Sequence, residues 1–188
     1  MRLRVLERFR QAAKWGRATG GSQAARHSRS SSSSSGSGNK STAFDITGTL
    51  LGQEGVKLGS FAQVEHAFSQ ETVNQFAGIC GDNNPLHIDP VFAGKTMFKG
   101  TIVHGILVSS LFSTLFGRAI HGSIYMGQTL TFKKPVHVGT AVTARMEIVG
   151  IEERKSGRVL QCTTQCMLPD GIVAVEGEAR VLLPNLQR

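Results

Sequence analysis

Apolar and polar positions along this chain change period twice. Val73, Phe76, Ala77 and Cys80 recur at helical spacing and give one apolar stripe. Ser69 ahead of that stripe can cap the first turn, Glu71 lies near its positive end, and Gly81 stops it. Asp89-Pro90 has the form of a cap followed by proline in the first turn, which places a second short helix through Phe92 and Ala93. Over residues 101–118 the apolar side chains, Ile102, Val103, Ile106, Leu107, Leu111, Phe112, Leu115 and Phe116 among them, lie all round the axis. That pattern predicts a helix buried on every side. The period then falls to two: residues 123–132, 141–151, 159–167 and 172–183 alternate or are rich in Val, Ile and Thr. Ser156-Gly157 and Pro169-Asp170-Gly171 supply turns between the later strands. Short helices, one hydrophobic helix and an antiparallel run together predict an α+β domain, with a sheet wrapped around the long helix.

Charge changes the picture only at the N-terminus. The formal net charge is +8, yet residues 1–40 hold nine Lys/Arg against the single acid Glu7, and the remainder holds twelve of each sign. A basic face for nucleic acid is therefore not expected on the folded part. Residues 1–40 are rich in Arg and Ser, and Leu3, Val5, Leu6, Phe9 and Ala13 can form an apolar face between arginines. These are the marks of a mitochondrial transit peptide, with a solvated basic tail as the alternative. The Ser/Gly tract at 29–41 reads as a linker, so the domain is expected to span residues 44–186. No apolar run approaches the roughly 18 residues of a membrane helix, and no membrane partner is expected. Cys80, Cys162 and Cys166 form neither a zinc pattern nor a disulfide framework. Cys162 and Cys166 should share one face of a strand, and Cys80 reads as a small buried thiol at a helix end, with a nucleophile beside Asp82 as the alternative.

The chemistry concentrates in two places. Gly81-Asp82-Asn83-Asn84-Pro85-Leu86-His87 puts a carboxylate and an imidazole at the ends of a polar turn, and Ile102-Val103-His104-Gly105 opens the long helix. If the turn folds back, Asp82 and His87 can share one water as acid and base. Asn84 can hold the turn by its side chain or help to place that water. The Gly105 N–H, in the first helical turn, can meet an oxyanion, because glycine permits close approach and the helix end adds partial positive charge. Together these groups suit hydration of an α,β-unsaturated thioester, in which charge develops on the thioester oxygen. Taken singly, each residue has a structural reading. His104 reads as packing and hydrogen-bonding at the helix start, with a ligand or second-base role as the alternative. Ser113 can touch substrate or bond back to a helix carbonyl. His66, His121 and His137 lack a supporting pattern and read as surface or loop residues.

The run Phe76-Ala77-Gly78-Ile79-Cys80-Gly81-Asp82-Asn83-Asn84-Pro85-Leu86-His87-Ile88-Asp89-Pro90-Val91-Phe92-Ala93 resembles the signature of the MaoC-like (R)-specific enoyl hydratases and 3-hydroxyacyl-thioester dehydratases. The similarity continues through residues 102–107, 123–128 and 132–136, and covers roughly residues 55–184. The resemblance implies a hotdog fold, a curved antiparallel β-sheet around a central helix, in a homodimer. It implies Asp82 and His87 as the catalytic pair, the Gly105 amide as binder of the thioester carbonyl, and Asn84 as support for the pair. It implies no metal and no redox cofactor. Substrates would be (R)-3-hydroxyacyl or trans-2-enoyl thioesters on acyl carrier protein or CoA. With a mitochondrial leader, the expectation is a dehydratase of mitochondrial type II fatty acid synthesis acting on acyl carrier protein. The alternatives are an (R)-specific enoyl-CoA hydratase of fatty-acid oxidation and a non-catalytic acyl-binding hotdog subunit. The intact acid–base pair weighs against the last.

Overall fold

The alternating segments of the C-terminal half form three long strands, β5 (Ala141–Arg154), β6 (Gly157–Met167) and β7 (Val173–Pro184), joined by tight turns. This is a computed structural model, and it describes residues 44–50 and 52–185. The expected leader and linker over residues 1–40 lie outside the described residues. The other strands are β1 (Thr47–Gly48), β2 (Phe61–Ala67), β3 (Ile124–Gln128) and β4 (Thr131–Phe132). The sheet is antiparallel, ordered β1-β2-β5-β6-β7-β3, with β4 also on β7. Inward positions recur every second residue along β5, where Val142, Ala144, Met146 and Ile148 are all buried. A register shift at Ile148/Gly150 in β5, and one opposite Cys166/Met167 where Ala174 is the extra residue of β7, are bulges of the kind that bend a sheet around its contents.

Those contents are the long helix. The helices are α1 (Gln70–Cys80), α2 (Pro85–Ile88), α3 (Pro90–Gly94) and α4 (Gly105–Ala119). Helix α4 packs on β2, β5, β6 and β7. Leu111, Phe112, Leu115 and Phe116 on it are fully buried, each worth about 1.5–3 kcal/mol relative to exposure. The hotdog arrangement of one helix in an antiparallel sheet is thus present.

Three details depart from the periodicity. Residues 101–103 are extended rather than helical, because their backbone is used elsewhere: Ile102 bridges His137, Val103 N–H donates to Val136 at 2.8 Å, and Val138 N–H donates to Thr101 at 3.1 Å. Helix α4 is not buried all round, since Ile106, Ser110, Ser113 and Gly117 form an exposed stripe at helical spacing. The expected strand over 123–132 breaks into β3 and β4. A bulge lies between Tyr125 and Gly127, and beyond it Thr129 leaves the regular ladder while bonding Glu178 through both its N–H and its hydroxyl.

Candidate active site

Helix α1 begins as its sequence dictates, with Ser69 Oγ accepting the Thr72 N–H at 3.1 Å. It ends at Gly81, whose φ of 79° is the left-handed conformation that glycine adopts freely. This sharp exit delivers Asp82 into the polar turn. Asp82 Oδ1 accepts the Asn84 N–H at 3.2 Å, and Asn84 Oδ1 accepts the Leu86 N–H at 3.1 Å as the cap of α2, whose first residue is Pro85. Of the two roles open to Asn84, its oxygen holds the turn. The next cap repeats the device: Asp89 Oδ1 accepts from Val91 at 2.9 Å and Phe92 at 3.0 Å, ahead of Pro90.

His87 sits on α2 and is 12 % exposed, against 55 % for Asp82. Its Nδ1 lies 2.7 Å from the Ile102 carbonyl. A carbonyl only accepts, so Nδ1 carries a proton, and in the neutral ring Nε2 then presents the lone pair. That Nε2 is 3.9 Å from Asp82 Oδ2, too far for a direct hydrogen bond and a spacing at which one oxygen of water or substrate can contact both groups. The backbone beneath is tied down as well: Gln70 Nε2 donates to the His87 carbonyl at 2.7 Å, and Thr101 Oγ1 donates to Gln70 Oε1 at 2.7 Å. Gln70 was not visible as a site residue, since a glutamine in a first helical turn carries no signal of a long-range partner.

Gly105 is the first residue of α4, so its N–H has no acceptor inside the helix. Gly105 and His87 line one cavity of about 370 Å³, together with Phe98, Ile102, Val108, Phe132, Val136 and Val175 and with Lys133 and Lys134. A base and an open amide at a helix start thus share an apolar chamber, and the acid Asp82, which does not line it, lies 3.9 Å from His87, which does.

His104 precedes Gly105 and is buried. Its Nε2 lies 3.0 Å from the Asp82 carbonyl and 4.0 Å from Asp82 Oδ2, and its ring stacks on His87 at 3.8 Å between centroids. It packs and hydrogen-bonds at the helix start, as expected. Donor atoms of Asp82, His87 and His104 all lie within 4.8 Å of one another, a set that could attract a metal ion. The stacking argues against one: an imidazole ligates in its ring plane, and stacked rings aim their lone pairs side by side instead of at one point.

Other expectations fare differently. Ser113 lies on the exposed stripe of α4 and is not part of the cavity wall. Cys80 is exposed, not buried, because the end of α1, Gly78 to Cys80, faces solvent, and its Sγ accepts the Asp82 N–H at 3.5 Å. Cys162 and Cys166 do share the inward face of β6, and burial pushes both thiols up to about 12. His121 and His137 are exposed. His66 instead belongs to β2, half-buried between Phe44 and Phe68 with ring centroids at 4.7 Å on either side, because that strand alternates and carries it onto a covered face.

Residues 56–166 match the family described as the MaoC like domain. The chain is 43 % identical over 136 residues to the (R)-specific enoyl-CoA hydratase of Aeromonas caviae, covering 71 % of this chain and 100 % of that protein. It is 33 % identical over 132 residues to the mitochondrial 3-hydroxyacyl-[acyl-carrier-protein] dehydratase of Arabidopsis thaliana, covering 70 % of this chain and 80 % of the relative. The solved structure of the A. caviae (R)-hydratase involved in PHA biosynthesis superposes with a TM-score of 0.66 at 44 % identity, over 69 % of this chain and 98 % of that one. The chain belongs to the MaoC-like dehydratase and (R)-hydratase family, and it is a hydro-lyase.

Proposed function

We propose that this protein interconverts (R)-3-hydroxyacyl and trans-2-enoyl thioesters, with Asp82 and His87 as its acid–base pair. The observation that carries this reading is the His87 Nδ1–H bond to Ile102, which turns a bare Nε2 toward Asp82 Oδ2 beside the Gly105 amide. In the hydration direction, water donates its proton to one of the pair as its oxygen joins the β-carbon. That proton is then passed from the pair to the α-carbon, so that one water supplies both the hydroxyl and the α-hydrogen. The thioester oxygen, gaining charge as the enolate forms, is held by the Gly105 N–H at the start of α4. The acyl chain occupies the apolar chamber. Dehydration follows the same path in reverse. The thioester itself acidifies the α-proton, so the residues named suffice for the chemistry.

The acyl carrier is acyl carrier protein in this reading, and the setting is mitochondrial fatty acid synthesis in the matrix. Its support is the Arg- and Ser-rich, acid-poor sequence over 1–40 and the mitochondrial relatives of Arabidopsis thaliana and Solanum lycopersicum. The greater identity to the A. caviae hydratase favours a second reading, with CoA as the carrier. The protein acts as a homodimer, a reading supported by the apolar edge strand β3 and the exposed stripe of α4.

The test follows loss of enoyl-thioester absorbance with crotonyl groups on CoA and on acyl carrier protein. Asp82→Asn and His87→Ala should each lower kcat by about 10²–10⁴-fold while thermal melting stays within a few degrees of wild type. Near-wild-type turnover in Asp82→Asn removes the acid–base role. A kcat/KM higher on CoA than on acyl carrier protein decides for the second reading.

A further inference from the structure

We propose that His104 is a positioning residue that holds Asp82 and His87 at their working separation; this rests on the acid–base reading above. The residue before a helix is most often Ser, Thr, Asp or Asn, whose side chain turns back to bond the first turn. His104 occupies that place and makes no such bond. Its Nε2 reaches instead to the Asp82 carbonyl, 22 residues back in sequence, at 3.0 Å. Because a carbonyl accepts, Nε2 carries the proton and Nδ1 is left with a lone pair. That Nδ1 is buried without a hydrogen-bond partner among the described residues, in a side chain only 3 % exposed. An unpartnered buried nitrogen is an uncompensated cost, which a phenylalanine of similar shape would avoid. Neither packing nor capping accounts for an imidazole here, and the contact to Asp82 does.

The same ring also backs the base. It stacks on His87 at 3.8 Å and 29°, and its other neighbour is the edge-on ring of Phe76 at 5.1 Å. His87 is thus fixed in its plane by the Ile102 carbonyl and across its face by His104. Asp82, more than half exposed in the polar turn, gains from His104 a tie that binds it to the start of α4. His104 touches the backbone of one member of the pair and the ring of the other, so the 3.9 Å gap between their reacting atoms passes through it. Misplacement of a reacting group by about 1 Å can cost 10²-fold in rate.

Two variants separate the contacts. In His104→Phe the ring, its volume and its stack survive, and both the donor and the orphaned nitrogen disappear. In His104→Gln an amide N–H returns near the place of Nε2 without the ring. With the full chain and a crotonyl thioester, His104→Phe should melt at or above the wild-type temperature. Its kcat should fall about 10–100-fold with KM little changed, as expected for loss of alignment and not of binding. His104→Gln should recover most of that kcat. Wild-type kcat in His104→Phe overturns the proposal, as does a loss that vanishes once activity is normalised to folded protein. Equal losses in two folded variants overturn the carbonyl bond as the operative contact. Asp82→Asn run alongside tells the two claims apart: an active Asp82→Asn sinks the acid–base reading itself, whereas an inactive one beside an unimpaired His104→Phe sinks only the positioning role.

Discussion

A Cβ on Gly105 would lie 2.6 Å from Cε1 of the Phe132 ring, closer than side chains approach in practice. The backbone there is ordinary, since Gly105 is not among the residues with positive φ. Alanine at a compatible position stabilises by about 0.4–1 kcal/mol through the unfolded chain, and the Phe132 ring, 53 % exposed, can move aside at little cost. Stability and activity should therefore part company in Gly105→Ala. Its melting temperature should hold or rise, while kcat/KM falls about 10-fold or more, short of the 10²–10³ for outright loss of an oxyanion donor. Adding Phe132→Ala should return part of that activity, because the ring then no longer competes with the new methyl for the space over the amide. Kinetics and melting on the same preparations check this. A Gly105→Ala enzyme that melts lower and turns over normally would mean that the amide is structural.

At the scale of elements, the sequence was most legible where local chemistry and tertiary structure agree. Ser69, Gly81 and Asp89-Pro90 are caps and stops, and the chain obeys them. Helix α2 was legible and unread: Asn84-Pro85 has the cap-then-proline form of Asp89-Pro90, five residues earlier. The start of α4 was not legible. Residues 101–103 read like the helix that follows, and their bonds to 136–138, thirty-odd residues on, and to Leu86 and His87 hold them extended. The Gln70 bridge to His87 and Thr101 was hidden for the same reason, being a contact between elements that no local pattern encodes. Strand β2 carries a consequence of this kind. Burial between Phe44 and Phe68 holds the His66 imidazole below its ordinary 6.5. The unfolded chain then takes up this proton before the folded one does. The stability is full above 6.5 and is lost as pH falls from there through the lowered folded value. His66→Phe, which keeps an aromatic in the stack, should flatten the fall of melting temperature across that acid window. Parallel pH profiles for the two proteins would refute the assignment.

The whole molecule presents an unbalanced surface. The sheet packs on α4, but its last strand, β3, pairs among the described residues only with β7 and leaves Ile124, Tyr125 and Met126 exposed. The outward stripe of α4, Ile106, Ser110, Ser113 and Gly117, is equally uncovered and is small or apolar throughout. An apolar open edge invites pairing, and soluble chains blunt theirs with charge, proline or a neighbour. Ile124, Tyr125 and Met126 bring neither charge nor proline, so a neighbour is the remaining device, and a two-fold pairing of β3 with its copy would satisfy both strands at once. The two faces belong to adjoining structure, since Tyr125 meets Phe116 of α4 ring edge to ring face at 5.1 Å. A partner seated on the edge would therefore lie close to the helix as well, and a stable interface takes roughly 800 Å² per subunit. Wild type should scatter light as a dimer at micromolar concentration. Ile124→Lys, which puts a charge on the edge without touching the buried core, should halve that mass while the circular dichroism stays that of the folded chain. A wild-type protein of monomer mass would show that the edge is tolerated open, and Ile124→Lys that remains a dimer would move the interface off β3.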